Sequence, residues 1–457
     1  MIRLLAVLGL SVLTACTSTP DVTRVADTSD TLPSLKTFSA VRATPSRVSN
    51  AEFARDFLKL SFELETGRQM PVLARFSGPI TIRLTGTGLR SVTSHDLDQL
   101  ITRLTDEAKL PVARVGPKST ASITVELVPA RALQRAAPSA ACFVVPNVSS
   151  WAGFQQRRRS AMTDWAELRE RTQMAVFIPS SSSPQEIRDC LHEEIAQALG
   201  PVNDLFELPN SVFNDDNFHA VLTGFDMEVL RVFYHPSLAN GMTREQVAAR
   251  LPAILASVRP QAPVARQRPD PGFTPDTWTD AIARALGPGQ RAEDRVQSAQ
   301  WALGTARSMG WRDTRLGFSL YAYGRLNSLR NPDAAIAAFS EAERLFAVLP
   351  GTEIQRAHIA VHTAAFALAT GRFETAIAIA DENIPFARKG QNASLLSTLM
   401  MIKAAALEAT GNPAPAKSIR LDSLGWARYA FASEADIQMR LSEINEMVPK
   451  WRRGGAT

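Results

Sequence analysis

A run of prolines divides this chain into two regions that are not expected to share one continuous helix or sheet. Between residues 252 and 275, proline occupies positions 252, 260, 263, 269, 271 and 275. Proline fixes its own φ angle and lacks a backbone N–H group, so a segment this rich in proline interrupts regular secondary structure. We therefore predict a linker over residues 252–276 between a first domain at 49–251 and a second domain at 277–450.

The region after the linker contains an internal repeat. Three similar seven-residue stretches, spaced 41 and 40 residues apart, begin at Leu329, Thr370 and Thr410. Each stretch places a tight turn between two alanine-rich segments, which predicts a pair of packed helices in every repeat. Ala335, Phe339 and Ala342 fall where the second helix of a pair packs on the first. The region resembles tetratricopeptide repeats, so we predict an all-α domain of helical hairpins.

Two histidines of this region, His358 and His362, lie one helical turn apart. Such a pair occurs in zinc sites, but Ile359 stands where a zinc protease has its glutamate, and no third ligand is evident in the sequence. We interpret the two histidines as a surface or packing pair.

The region before the linker alternates between helix-like and strand-like patterns. The predicted elements are a helix over 50–63, a strand over 72–84 broken at Gly78 and Pro79, a helix over 94–109, and strands near 112–115, 121–128, 141–145 and 174–178. Their order resembles the α+β layout of zincin-type domains. We therefore predict a zincin-like α+β fold for the first domain.

The clearest single element is a helix over residues 184–199. Ser183 and Glu186 form a capping-box pattern, Pro184 stands at the first helical position, and Gly200 follows the last turn. The helix gathers a histidine, two adjacent carboxylates, a glutamine and a cysteine, which makes it the only candidate chemical site that the sequence offers.

The polar residues of this helix are the candidate catalytic groups. At about 100° per residue, Glu194 falls within the apolar stripe, whereas His192 points to the opposite, polar side. A zinc-protease helix needs two histidines in the pattern H-E-x-x-H, but Ala196 occupies the second histidine position. We therefore assign the candidate catalytic roles to Glu193, Glu194 and Gln197, and we expect Glu194 to be at least partly desolvated.

A second polar cluster follows at residues 214–217. Asparagine and aspartate serve turns and helix caps, so a loop that caps the next helix explains this cluster. Alternatively, these residues complete a cation or substrate site with the acidic helix. The candidate metal ligands are then His192, Glu194, Asp215, Asp216 and His219. Oxygen ligands alone would favour calcium or magnesium, whereas a histidine would allow zinc, and the identity of the cation stays open.

The first residues predict the compartment. Arg3 precedes an apolar run too short to span a membrane, and the stretch from Leu13 to Cys16 resembles a bacterial lipobox. We predict a lipoprotein signal peptide over 1–15, lipid attachment at Cys16 and, because Thr17 follows that cysteine, an outer-membrane position facing the periplasm. Residues 16–48 are rich in Thr, Ser, Asp and Pro, which predicts a flexible tether.

The two remaining cysteines, Cys142 and Cys190, belong to that oxidising compartment. A disulfide between them is the first interpretation, and two buried thiols are the alternative. The disulfide would tie the strand near 142 to the acidic helix.

Four stretches of the first domain carry a family resemblance. They are ACFVVP at 141–146, IRDCLHEEIAQALGPVND at 187–204, SVFNDDN at 211–217 and LTGFDMEVLRVFYHPSLANGM at 222–242. They resemble a bacterial lipoprotein family catalogued as domain of unknown function 2927. The resemblance covers roughly residues 50–258, and it brings no settled activity with it.

These observations favour two functions. Basic runs are isolated and the net charge is only +5, so we expect no nucleic-acid partner. The first function is a membrane-anchored binding or scaffolding module whose helical repeats hold a peptide or protein. The alternative is a metallopeptidase-like hydrolase of envelope peptides or peptidoglycan, with Glu193 or Glu194 as general base and Gln197 orienting the substrate.

Overall fold

A computed structural model describes residues 32–39, 43–138, 140–263 and 272–449. The predicted signal peptide and Cys16 lie outside these ranges. Within them, no helix is both long enough and apolar enough to cross a membrane.

The first domain is built on a five-stranded sheet. Its strands are β1 (Ile80–Gly86), β2 (Val112–Arg114), β3 (Ile123–Val128), β4 (Phe143–Pro146) and β5 (Met174–Pro179). Their order in the sheet is β2-β1-β3-β5-β4. The first four strands of that order are parallel, and β4 runs antiparallel to β5 at the edge. Almost every residue of β5 is buried, as expected for a parallel strand covered on both faces.

Helices cover both faces of this sheet. They are α1 (Asn50–Phe62), α2 (Ser91–Asp106), α3 (Ala130–Ala136), α4 (Trp151–Arg157), α5 (Pro184–Leu199), α6 (Gly224–Phe233) and α7 (Arg244–Val258). Val176 and Ile178 face the main core with α1, α2 and α5, whereas Phe177 packs with Leu133 of α3 and Phe154 of α4 on the other face. The alternation along β5 therefore decides which helices lie on which side.

The predicted strand over residues 72–76 is wrong. Leu73 N donates to Met242 O at 2.8 Å, and Leu73 O accepts from Gly241 N at 3.0 Å. Arg75 N donates to Asn240 Oδ1 at 2.6 Å. The loop after α6 therefore supplies the hydrogen bonds that a neighbouring strand would have supplied, and the strand begins only at Ile80.

The second domain is a series of packed helices, consistent with a helical repeat. They are α8 (Asp276–Leu286), α9 (Ala292–Ser308), α10 (Thr314–Asn327), α11 (Pro332–Val348), α12 (Glu353–Ala369), α13 (Phe373–Lys389), α14 (Ala393–Ala409), α15 (Pro413–Ala430) and α16 (Glu434–Met447). The three repeated stretches form the turns within α10–α11, α12–α13 and α14–α15. Ala335, Phe339 and Ala342 are fully buried. A Cβ atom at Gly324 would lie 2.9 Å from the Phe339 ring, so the glycine permits close packing of α10 on α11.

The predicted linker begins later in the structure than in the sequence. Helix α7 continues through Pro252 as far as Val258. Leu251, Ile254 and Leu255 are buried in the core of the first domain, and this burial offsets the hydrogen bond that the proline removes.

Residues 32–39, which the sequence assigns to a flexible tether, are docked on the folded domains, and we call them the strap. Phe38 is 6% exposed and stacks on Trp426 of α15, with ring centroids 4.5 Å apart. Lys36 N donates to Gly425 O at 3.0 Å, and Gln99 of α2 donates to Phe38 O at 3.2 Å. The strap therefore contacts both domains.

The two domains also meet directly through aromatic side chains. Phe206 of the first domain packs against Trp278 and Phe318 of the second, with ring centroids 4.9 and 5.9 Å apart. Tyr429 Oη donates to Asp96 Oδ2 at 2.8 Å. The interface thus combines apolar burial with a buried hydrogen bond, and it fixes one domain relative to the other.

We expect the Cys142–Cys190 disulfide, which ties β4 to α5, to be present in the purified protein. Alkylation of unfolded, unreduced protein should modify neither cysteine, as checked by intact mass. Because the two residues are 48 positions apart, the double variant Cys142→Ala/Cys190→Ala should lose about 4 kcal/mol of unfolding free energy in denaturant. Labelling of both thiols in the wild-type protein would contradict the assignment.

Candidate functional site

A cleft of about 890 Å³ lies between the two domains. The first domain contributes the start of α5 and three loops, at residues 63–67, 203–207 and 215–219. The second domain contributes residues of α8, α10, α12, α14, α15 and α16. Neither domain forms this cavity by itself.

One wall of the cleft is acidic. Glu65, Asp204, Asp215 and Asp216 line it together. Burial raises the pKa of Asp204 well above its usual range, and the neighbouring carboxylates of Glu65 and Glu193 raise it further. Burial also raises the pKa of Asp215 to about 6. Because like charges this close disfavour ionisation, this wall favours either protons or a bound cation.

Asp216 is the most enclosed of these carboxylates, at 5% exposed. Its Oδ1 accepts from Phe218 N at 3.0 Å, whereas its Oδ2 has no hydrogen-bond partner among the described residues. Burial raises the pKa of Asp216 well above its usual range, and Asp215 adds to the shift. The nearby Gln355 amide opposes this shift, although its Nε2 donates to Pro209 O at 2.8 Å.

The floor of the cleft is formed by aromatic and imidazole rings. His358 packs on Phe218 with ring centroids 4.4 Å apart, and His362 lies parallel to Phe339 at 4.7 Å. Burial lowers the pKa of each histidine to about 3, so both rings are neutral near neutral pH. The two histidines form a packing pair, as the sequence suggests, and they also line the cleft.

Two arginines also line the cleft. They are Arg325 of α10 and Arg440 of α16, and both contribute to the low pKa of His362. The lining of the cleft therefore combines a carboxylate wall, neutral rings and two guanidinium groups.

The predicted catalytic residues of α5 lie behind the acidic wall. Glu193 is 7% exposed and Glu194 is fully buried, so the expected desolvation of Glu194 is confirmed. Gln197 Nε2 donates to Asp204 Oδ2 at 3.2 Å, which connects α5 to the cleft through Asp204. Asp204 is thus the residue that joins the predicted site to the open cavity.

Among the described residues, one group has side-chain atoms spaced as metal ligands. It consists of Cys142, Glu193 and Glu194, whose ligand atoms lie within 4.8 Å of one another. The Cys142 sulfur, however, is bonded to Cys190 and is therefore not available as a thiolate ligand. Two carboxylates remain, and none of the other predicted ligands joins them in this group.

His192, which the helical period places on the polar side of α5, is shielded from solvent. The residue is 2% exposed, because α2 and the second domain cover that side of the helix. Its Nδ1 accepts from Leu222 N at 3.2 Å. Burial lowers its pKa well below the usual range, with Arg188 and Arg103 adding to the effect. His192 is therefore a neutral acceptor that holds the loop before α6.

The other three residues that the sequence offers as metal ligands lie on the surface of the cleft. Asp215, Asp216 and His219 all line the cleft, and burial lowers the pKa of His219 to about 4. The sequence did not single out Glu65, Asp204 or Arg325. Glu65 and Arg325 stand in unremarkable polar contexts, whereas Asp204 follows the Gly200-Pro201 helix stop, which was the only available signal.

Replacing Asp216 by asparagine should leave the protein at least as stable as wild type near pH 7. The pKa of Asp216 is raised in the folded protein, so above pH 3.8, the usual pKa of an aspartate, the unfolded chain loses this proton more readily than the folded one. The free energy of unfolding of the wild-type protein therefore falls as the pH rises through this range. Asparagine does not titrate and keeps an oxygen for Phe218 N. The stability of Asp216→Asn relative to wild type should therefore increase from pH 4 to pH 7 in thermal unfolding.

The matched control is Asp226→Asn. Both carboxylate oxygens of Asp226 accept hydrogen bonds, from Ser211 Oγ at 2.5 Å and from Val212 N and Thr223 N at 3.2 and 2.7 Å. Asparagine keeps one acceptor oxygen and replaces the other with an NH2 donor, so at least one of these hydrogen bonds is lost or reversed and this variant should lose about 1–3 kcal/mol. Equal destabilisation by the two substitutions would show that Asp216 is fully satisfied in the fold.

Comparison with known proteins agrees with the sequence resemblance. No protein of curated function matches the chain. Residues 50–253, from the start of α1 into α7, match the model of the family described as a protein of unknown function (DUF2927). The sheet, α5 and the acidic wall of the cleft therefore all lie within the stretch that matches this family model, and the helical hairpins follow it.

Proposed function

We propose that this protein is a cell-envelope lipoprotein that binds a peptide segment in the cleft between its two domains. The observation that carries the proposal is the cleft itself, whose walls come from both domains. Ligand pockets occur preferentially at domain interfaces and have volumes of about 300–1,000 Å³. A cavity of about 890 Å³ therefore suits a segment of a few amino-acid residues.

The lining of the cleft supports a peptide as the ligand class. The lining includes both apolar side chains, such as Phe318, Val361 and Leu395, and hydrogen-bonding groups, such as those of Asn203 and Thr398. A peptide offers both apolar side chains and backbone N–H and C=O groups, so it can satisfy both kinds of surface at once. Helical hairpins that stack side by side present such extended surfaces to a partner.

The anchor and the compartment are part of the same proposal. The Leu13 to Cys16 stretch supports lipid attachment at Cys16, although these residues lie outside the described ranges. The Cys142–Cys190 disulfide supports an oxidising compartment such as the periplasm. With Thr17 after the lipid-bearing cysteine, we place the protein at the outer membrane.

The zincin-like layout remains part of the proposal as an architecture. Strand β1, helix α2, strands β2 and β3, the antiparallel edge strand β4, and β5 precede the acidic helix α5, and the short helices α3 and α4 lie among these strands. The hydrolase alternative receives less support from the side chains. Ala196 stands where a second histidine ligand would be needed, and Glu193 and Glu194 lie behind the cleft wall. We therefore favour a zincin-like layout used for binding.

Peptide binding should be detectable with the mature protein and a mixture of synthetic tri- to hexapeptides of known masses. Bound peptides should elute with the protein in gel filtration and be identified by mass spectrometry. The variant Ser394→Trp, which fills the cleft from α14, should abolish retention, whereas Ser308→Trp on the exposed face of α9 should not. If Ser394→Trp retains peptides as well as wild type, the cleft is not the binding site. Recovery of shortened peptides would favour the hydrolase alternative.

The anchor is tested separately. Cys16→Ala should move the protein from the membrane fraction to the soluble fraction, or block removal of the signal peptide, because the thiol is the attachment point of the lipid. Fractionation and the mass of the mature N-terminus are the measurements. Unchanged membrane partitioning together with an unchanged N-terminal mass would refute lipid attachment at this residue.

A further inference from the structure

Four buried polar atoms within the cleft have no hydrogen-bond partner among the described residues. They are Asp204 Oδ1, Asp216 Oδ2, His219 Nδ1 and His358 Nε2. Native proteins leave few buried polar groups unsatisfied, and those that remain call for an explanation such as a ligand site. Four such atoms on one cavity indicate that a ligand completes them.

The chemistry of these atoms selects the kind of group that would fit. A carboxylate oxygen accepts hydrogen bonds. The hydrogen bond between His358 and the Phe218 backbone raises the pKa of the histidine, which means that the ring donates it through Nδ1 and leaves Nε2 as an acceptor. The pocket therefore presents acceptors on an acidic wall. An ammonium or guanidinium group, with several N–H donors and a positive charge, matches them.

A metal ion matches this wall less well than an organic cation. Metal ligands must converge on one point, yet within the described ranges the only group with that spacing is Cys142, Glu193 and Glu194, behind the wall. The acceptors of the cleft are spread over two loops of the first domain and over α12 of the second. That spread suits a larger group with divergent donors.

The two arginines of the cleft add a second requirement. Arg325 and Arg440 lie near His362, and His362 is one helical turn, about 5.4 Å, along α12 from His358. Arg440 is already paired with Glu443 at 3.2 Å, so Arg325 is the better candidate to meet an anion. A guanidinium group binds a carboxylate through two parallel hydrogen bonds.

We propose that the cleft recognises a short zwitterionic peptide, with its cationic group at Asp204 and Asp216 and its carboxylate at Arg325. This inference rests on the proposed peptide-binding function and adds the charge requirement to it. The neutral rings of the floor contact the part of the peptide between its charges. A ligand that lacks either charge leaves one of these charged groups of the cleft unsatisfied.

Four alanine-based tripeptides test the charge requirement by calorimetry on the mature, full-length chain. They are Ala-Ala-Ala with free termini, its N-acetyl form, its C-terminal amide, and N-acetyl-Arg-Ala-Ala. The free peptide should bind about tenfold or more tightly than either blocked form, because each lost charge removes a charge-assisted hydrogen bond. Binding of the acetylated arginine peptide would assign the cation to a side chain, and its failure would assign the cation to the N-terminus.

Two variants locate the groups that bind the two charges. Asp216→Asn should weaken binding of the zwitterionic peptide and leave the affinity for the N-acetyl peptide nearly unchanged. Arg325→Gln should weaken binding of the zwitterionic peptide and leave the affinity for the C-terminal amide nearly unchanged. Each variant is thus compared with the ligand that lacks its partner group, so a general loss of folding cannot imitate the result. Equal affinity for all the peptides would overturn the charge requirement but leave peptide binding intact. Failure of every tripeptide, when longer peptides still bind in a Ser394→Trp-sensitive way, would also overturn it.

Discussion

The burial of α5 is the constraint on which the rest of the structure depends. This helix carries several charged residues, yet almost all of it is shielded from solvent. Its first turn is closed by Ser183 and Glu186, which bond to each other's backbone amides. Its last carbonyl groups, at Gln197, Ala198 and Gly200, accept hydrogen bonds from the buried guanidinium of Arg171 at 2.5 to 2.7 Å. A helix this deeply buried is stable only when both of its ends are satisfied in this way.

The same helix joins the two domains. Gln185 Oε1 accepts from Ala393 N at 2.9 Å, and Arg188 donates to Gln391. The polar face of α5 therefore contacts the second domain instead of water. The disulfide at Cys190 holds the helix to the edge strand. Because α5, the strap and the Phe206 contacts fix the domains relative to each other, the cleft between them has a defined shape. Preorganisation of this kind lowers the conformational entropy that the protein must lose when a ligand binds.

The cleft contains groups that weaken the fold. Buried carboxylates with raised pKa values, and polar atoms without partners, each cost free energy that the aromatic interface and the cores must offset. Such costs commonly mark functional sites, where stability and function are in tension. Both oxygens of Asp226 have hydrogen-bond partners, as expected for a structural carboxylate. Asp216 Oδ2 has none in the described part of the chain, which suits a carboxylate that binds a ligand.

Local sequence determined the elements, because caps and periodicity act within one turn or one strand. The bounds of α5, the repeated hairpin turns and the burial of Glu194 were all predictable from residues close together in the chain. Tertiary structure alone decided which surfaces are covered. His192 is buried because another domain lies on its side of the helix, and Glu65, Asp204 and His358 share a cleft although the chain separates them widely. A helical period specifies where a side chain points, but only the packing of distant segments decides what it meets there.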